Sequence, residues 1–238
     1  QTDAHTFKSQ LGEKILPEAI SITFDPTVAE FKGVPLYGNY KYDDEGIAAR
    51  KVEVVKNGTF ASYLMSRQPV EGISNSNGHG RCEPGMAPVS RQSNLFVTSK
   101  TYIPEEDLHE KLRKMCKKQK KDYGYLFEEV IGGFTRADRM SINAFNIIPI
   151  VVYRVYTDGR PDEMVRGVSL IGTPLTMFSE IEACGGKQAV FNGYCGAESG
   201  SVPTSTIAPS LLVNKIETQQ QFEIKGEVPQ ISSPDLAK

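Results

Sequence analysis

The sequence predicts an α+β fold, mostly antiparallel β-sheet with one or two helices, on three observations. Short runs rich in β-branched and aromatic residues recur along the chain, bounded by Gly, Asn, Asp and Pro. Two of these runs flank Asn57-Gly58, a dipeptide whose residues both accept positive φ and so close tight hairpins. One segment, residues 104–121, carries its apolar side chains at helical spacing instead.

Taken in order, residues 19–24 (AISITF) form the first expected strand, closed by the turn pair Asp25-Pro26. A glycine-bounded irregular segment, residues 33–38, leads to the acidic turn Asp43-Asp44-Glu45-Gly46. Residues 50–56 and 59–64 are the expected arms of the Asn57-Gly58 hairpin. Asn57-Gly58-Thr59 also fits the glycosylation acceptor pattern, but the hairpin already accounts for it. In the expected helix, Pro104 suits the first position and Glu105, Glu106 and Asp107 fill the first turn. Leu108, Leu112, Met115 and Cys116 share one face, and Lys117, Lys118, Lys120 and Lys121 complement the dipole at its end. That placement explains the lysine cluster better than a nucleic-acid site does. Residues 141–156 and 164–171 return to β character around the turn Thr157-Asp158-Gly159. Residues 174–184 read as a short helix ended by Gly185-Gly186, and residues 210–217 as the last strand. One domain, residues 1–217, is therefore expected, followed by a polar tail, residues 218–238.

The 238 residues are 39% hydrophobic and 24% charged, and the formal net charge of −2 gives no electrostatic reason to expect nucleic acid or an anionic membrane as partner. The longest apolar run, residues 147–152, is broken by Pro149 and falls far short of the ~20 residues that span a bilayer. Four scattered cysteines, Cys82, Cys116, Cys184 and Cys195, suit no disulfide scaffold and fit a reducing compartment, so a cytoplasmic protein is expected. The chain opens at Gln1 without methionine or a signal-like segment, which reads as a fragment or processed product.

Two stretches could carry chemistry. The first is Ser74-Asn75-Ser76-Asn77-Gly78-His79-Gly80-Arg81, followed at once by Cys82. Gly78 and Gly80 would let backbone approach a ligand, and Arg81 could hold a carboxylate or peptide carbonyl. Gly78, His79, Gly80 and Arg81 are thus candidate substrate-binding residues, set against the alternative of a tight turn with an internally paired arginine. His79 and Cys82 could also pair as base and nucleophile or supply half of a metal site. The second stretch holds Cys195 between glycines in what reads as a turn-rich loop. A thiol there packs, bridges or binds something, and no C-x₂₋₄-C partner is present for a zinc knuckle. The acidic turn lacks the oxygen-ligand pattern of a cation loop and is expected to make turn hydrogen bonds. His5 and His109 stand singly and are expected to face solvent. The G-x-S-x-G, P-loop and H-E-x-x-H patterns are absent.

An ordered set of segments runs through the chain. It begins with Tyr42-Asp43-Asp44-Glu45-Gly46, the hairpin from Val55 to Tyr63 and Gly78-His79-Gly80-Arg81. It continues with Arg91-Gln92-Ser93-Asn94, Gly132-Gly133-Phe134 and the segment from Val165 to Gly172. It closes with Tyr194-Cys195-Gly196 and Gly200-Ser201-Val202-Pro203. Over residues 7–217 this set resembles the C-terminal region of the TldD/PmbA family, once described as modulators of DNA gyrase.

The resemblance implies a zinc-dependent peptidase acting on peptides or unfolded polypeptides, with proteolysis or peptide maturation as its role. In the TldD branch, two histidines and a general-base glutamate come from an H-E-x-x-x-H helix, and a late cysteine completes the metal site. The cysteine matches Cys195, while the helix belongs upstream of the segment matching residues 6–12 and is absent here. Cys195 is then the metal ligand, no catalytic residue lies in this chain, and the chain alone is expected to be inactive and to hold no zinc. The implied partners are a peptide lying extended between residues 78–80 and 193–196, the protein's own N-terminal domain, and a second subunit in a homodimer or a PmbA-like heterodimer. The family usually has asparagine where His79 stands, and Gly196-Ala197-Glu198-Ser199-Gly200 follows its glycine-lysine pattern only loosely. The PmbA branch lacks the metal helix and acts as an inactive partner, so a non-catalytic scaffold domain is the rival reading. The retained cysteine favours the TldD branch.

Overall fold

The computed structural model describes residues 10–70, 72–136 and 144–220 of the chain. In chain order, β1 (Ile20–Phe24) is followed by the short pair β2 (Glu30–Phe31) and β3 (Val34–Pro35), then by β4 (Val52–Lys56) and β5 (Thr59–Phe60). A second short pair, β6 (Gly80–Arg81) and β7 (Val89–Ser90), precedes β8 (Asn94–Ser99) and the helix α1 (Glu105–Lys118). The remainder holds β9 (Tyr123–Arg136), β10 (Ala144–Tyr156), β11 (Glu163–Val165) and β12 (Val168–Gly172). It ends with the short helix α2 (Pro174–Ser179), then β13 (Ile181–Ala197), β14 (Gly200–Val213) and β15 (Glu217–Gln220). Strands thus dominate, and their pairing is antiparallel apart from β8 with β14 and an isolated bridge between Ile103 and Gly185.

Six strands form one sheet in the order β13-β14-β8-β1-β4-β5. Asn57 and Gly58 both take positive φ, 50° and 80°, and close β4 onto β5 as the dipeptide requires. One core cluster gathers Ile15, Leu16, Ile20, Val55, Phe60, Ile181 and Cys184, so residues 15–60 and the start of β13 meet in one apolar layer. The second sheet is built on the β9–β10 hairpin, whose register runs from Tyr156 opposite Tyr123 to Ala144 opposite Arg136. That ladder shifts at Pro149, which has no N–H to donate. β11 and β12 pair with β10, and β15 pairs with β12.

Helix α1 begins after Pro104 and buries Leu108 and Cys116. Its side chains Leu112 and Cys116 fill the space above Gly124. It ends three residues earlier than the lysine cluster suggested, because Lys120 turns left-handed (φ 56°) and the Lys121 N–H returns to the Cys116 carbonyl at 2.9 Å. His109 on this helix leans on the Asp162 carboxylate at 3.0 Å rather than facing open solvent.

The second helix is shorter than expected. It stops at Ser179, and the residues expected to complete it enter β13, with Ile181 opposite Val213 and Cys184 opposite Leu211. Ile181 and Cys184 are both buried, and core packing there outweighs local helix propensity. Gly185 and Gly186 mark a shift in the ladder between Cys184 and Gln188 instead of a helix stop. The supposed loop around Cys195 is the distal part of β13, paired residue by residue with a β14 that starts at Gly200. β12 and β11 divide the expected strand 164–171 at Gly167, and β15 carries the sheet on to Gln220, into the polar stretch. His5, residues 141–143 and the tail beyond Gln220 lie outside the described residues.

Among the described residues no helix is long and apolar enough to cross a membrane. Ile207 has no exposed surface and sits in β14 between Val190 of β13 and Phe96 of β8. Ile207→Ala should therefore lose ~2–5 kcal/mol of unfolding free energy. Denaturant titration checks this, and a loss under about 1 kcal/mol would show that β14 is not central to the packing.

Candidate functional site

The site is built on the acidic turn, which acts as a template for the segment around Arg81. Asp43 is buried and accepts the N–H groups of Glu45 at 3.0 Å and Ile47 at 2.8 Å on one oxygen, and that of Gly80 at 2.9 Å on the other. Asp44 accepts the Cys82 N–H at 2.8 Å, and Glu45 accepts the Arg67 N–H at 2.6 Å. These carboxylates are occupied by backbone donors; Asp43 makes the expected turn hydrogen bonds, and all three reach segments far away in sequence. Gly78 has φ +78°, and a Cβ there would collide with the Ala48 carbonyl.

His79 is fully buried. Its Nδ1 lies 3.3 Å from the Asn77 carbonyl and its Nε2 lies 3.1 Å from Ser93 Oγ, with Phe24 and Tyr40 edge-on to the ring. Burial pushes its pKa down to about 4, so it is neutral across the physiological range. Cys82 is part-exposed, and desolvation together with the Asp44 and Glu45 carboxylates pushes its thiol up. With both imidazole nitrogens engaged inside the fold, the structure does not bring His79 and Cys82 together as base and nucleophile.

Two buried arginines extend from this platform to the β13–β14 hairpin. Arg81 donates through Nη1 to the Gln92 carbonyl at 2.5 Å and the Pro203 carbonyl at 2.8 Å, and its guanidinium lies 4.8 Å from the Tyr40 ring centroid. Tyr40 in turn donates to the Gly78 carbonyl at 2.8 Å, and burial raises the pKa of its hydroxyl. Burial pulls the pKa of Arg81 down, while Tyr40, Asp44 and Cys195 act in the opposite direction. Arg91 donates through Nη1 to Ser199 Oγ at 2.6 Å and the Gly200 carbonyl at 2.9 Å, and through Nη2 to the Cys195 carbonyl. Ser199 closes the network by donating to the Arg81 carbonyl at 2.9 Å.

Cys195 thus sits on a braced strand near the hairpin tip, opposite the buried Val202, with its thiol half-exposed. Of the residues expected from sequence, the fold brings Arg81 and Cys195 into one network. Gly78, His79, Gly80 and Arg81 are all buried, and Arg81 donates through Nη1 to two backbone carbonyls. Sequence reading missed Arg91 and Ser199 as parts of the site, although both lie in or beside quoted motifs. A thiolate is a good donor for zinc, so Cys195 fits as one ligand. No group of three or more His, Cys, Asp or Glu able to hold a metal occurs among the described residues.

Residues 1–220 match the profile of the PmbA/TldA metallopeptidase C-terminal domain, and the chain belongs to that family. It is 30% identical over 210 residues to a metalloprotease of Archaeoglobus fulgidus, covering 88% of this chain and 44% of the relative. It is 23% identical over 183 residues to a zinc metalloprotease TldD homolog of Saccharolobus solfataricus, covering 74% and 37%. TldE from Thermococcus kodakarensis shares the fold with a TM-score of 0.59 at 16% identity, covering 90% of this chain and 41% of that one. A Thermotoga maritima protein described as a modulator of a DNA gyrase has the same TM-score, 0.59, at 23% identity, with 92% and 43% covered. The chain spans less than half the length of each of these proteins.

The buried histidine generates a pH prediction. His79 remains neutral in the fold down to about pH 4, whereas an unfolded histidine protonates near 6.5. Its contribution is intact above the unfolded value and is lost as pH falls from there toward 4, by up to about 3 kcal/mol. Unfolding curves of wild type and His79→Gln across that window should show the steeper loss in wild type. Equal slopes would mean that His79 does not couple protonation to folding.

Proposed function

We propose that this chain is the metal-facing C-terminal domain of a zinc metallopeptidase, supplying Cys195 as thiolate ligand and one wall of the channel in which a peptide is cut. The observation carrying this reading is the half-exposed Cys195 on a strand where Arg91 holds the Cys195 carbonyl. Cys116 and Cys184 are buried with burial-raised thiol pKa values, and Cys82 sits against carboxylates, so none of them suits the role as well. The other protein ligands and the general base come, in this reading, from an H-E-x-x-x-H helix in the upstream half. When bound, zinc supplies a Lewis acid and an acidified water for attack on a peptide carbonyl.

The contribution of this chain is to orient and hold. Among the described residues β13 is the edge strand of the six-stranded sheet, so there it offers a main-chain ladder without a neighbouring strand, leading to Cys195. A peptide of any sequence can add to such an edge through its own N–H and C=O groups. The near end of that edge is occupied, since Gly186 donates to the Ile103 carbonyl and Lys187 to Glu105. This leaves the stretch from Gln188 to Tyr194 for the peptide. Gly78, His79, Gly80 and Arg81, expected to touch substrate, support the wall from behind. A cytoplasmic location and a dimer with a second copy or a PmbA-like subunit belong to the same reading.

In the intact protein, Cys195→Ser should weaken zinc binding and abolish chelator-sensitive peptide cleavage, while Cys116→Ser leaves both unchanged. Unaltered zinc affinity and cleavage in Cys195→Ser would remove the ligand assignment and favour the non-catalytic, PmbA-like scaffold. This chain on its own should carry far less than one zinc per molecule after gel filtration without chelator, since one thiolate cannot hold the ion against water. Metal analysis showing one tightly held zinc would place the ligands elsewhere.

A further inference from the structure

The segment Arg91-Gln92-Ser93-Asn94 joins β7 to β8, and each of its residues holds another part of the fold. Asn94 is fully buried and donates to the carbonyls of Val28 at 2.9 Å and Asp25 at 3.2 Å. Ser93, also fully buried, meets His79, and the Gln92 carbonyl receives Arg81. The Arg91 N–H donates to the His79 carbonyl at 2.9 Å. Asn94 begins β8, in parallel register with Ser205 of β14. The root of the Arg91 side chain is therefore fixed from three sides before its guanidinium reaches the hairpin.

We infer that Arg91 is the positioning residue for Cys195, a two-armed clamp that sets where the thiol can meet its metal. The inference rests on the reading of Cys195 as a metal ligand. One arm holds the Cys195 carbonyl, and the other holds Ser199 Oγ and the Gly200 carbonyl across the tip. Fixing these points defines the Cα–Cβ direction of Cys195 and leaves χ1 as the main freedom of its sulfur. Without the clamp, the tip is a two-stranded ribbon with Gly193, Gly196 and Gly200 in or beside it, which by itself twists freely. A metal–thiolate bond tolerates only about 0.2 Å of error, so such freedom is paid in affinity. The planar fork of arginine serves the two sides of the tip from two separate nitrogens held in fixed geometry, a spacing the compact ammonium of lysine does not reproduce.

The test uses the intact protein, metal-free, titrated with Zn²⁺ and with Co²⁺, whose thiolate charge-transfer band reports a bound sulfur. Arg91→Lys should raise the zinc dissociation constant about 10–100-fold, the range seen when groups orienting a ligand are lost, and weaken the cobalt–thiolate band. Its Tm without metal should fall, because a buried cation loses part of its acceptors, yet the protein should remain folded, and KM for a peptide should change less than kcat. Ser199→Ala, which removes one hydroxyl and leaves the arginine, should move affinity and band in the same direction by a smaller factor. A wild-type band and affinity in both variants overturns the inference, as does a loss of affinity matched by loss of fold in Arg91→Lys with Ser199→Ala unaffected. Cys195→Ser in the same titration separates the two levels. If it binds both metals as wild type does, the ligand reading itself fails. If it loses the band while Arg91→Lys and Ser199→Ala keep it, only the clamp fails.

Discussion

Two guanidinium groups inside the protein, held almost wholly by backbone carbonyls, are the constraint on which the rest of this structure depends. Arg81 and Arg91 are 7% and 5% exposed, and the ion pairs among the described residues include neither of them. Removing an arginine from water costs several kcal/mol, while each hydrogen bond to a charged donor returns about 1.5–3 kcal/mol. Burial is therefore tolerable only when several acceptors stand in place together. For Arg91 those acceptors are Cys195, Ser199 and Gly200; for Arg81 they are Gln92 and Pro203, with the Tyr40 ring beneath. The hairpin tip and the arginine platform are consequently one unit, since loosening either strands a buried charge.

The acidic turn completes the electrostatic balance without touching either guanidinium directly. Asp43 and Asp44 bind the backbone of the segment that carries Arg81, and Asp44 counteracts the effect of burial on that arginine. Arg91 acts on Arg81 in the opposite sense, as a like charge must. The run of carboxylates expected to make turn hydrogen bonds thus also supports, in three dimensions, the segment that carries the buried Arg81. His79 remains neutral in the same layer, adding no third positive charge.

What could be read in the sequence follows from how local each signal is. The Asn57-Gly58 hairpin and the first helix rest on residues a few positions apart, and both are present, with Lys120 supplying a left-handed stop that no glycine announced. β13 was hidden because Gly185, Gly186, Gly193 and Gly196 read as loop punctuation. Its strand character comes from a long ladder with β14, a partner whose pairing is tertiary information. The site was legible as two motifs but not as one network. Cys195 and Arg81 drew notice through their chemistry, whereas Arg91 acts through a contact 104 residues away in sequence, and Ser199 through one 118 away. His79 looked like a reactive group, and only the fold shows that Ser93, Asn77 and two aromatic rings enclose it.

Placing a ligand on an edge strand has a geometric consequence for the proposed peptidase. A peptide paired with β13 advances by about 3.3 Å per residue in a register set by main-chain hydrogen bonds, whatever its side chains. If the thiol is anchored to that same strand, the distance between the metal and a given peptide carbonyl is fixed by counting residues along one ladder. In that reading, shifting the peptide by one residue would exchange its two faces, so the register that presents a carbonyl to the metal would also select which alternate side chains face Tyr194 and Tyr37. These two rings lie 6.4 Å apart and are largely exposed beside the ladder. A rigid hairpin tip is what makes such counting meaningful, because a mobile Cys195 would uncouple the metal from the strand that positions the peptide.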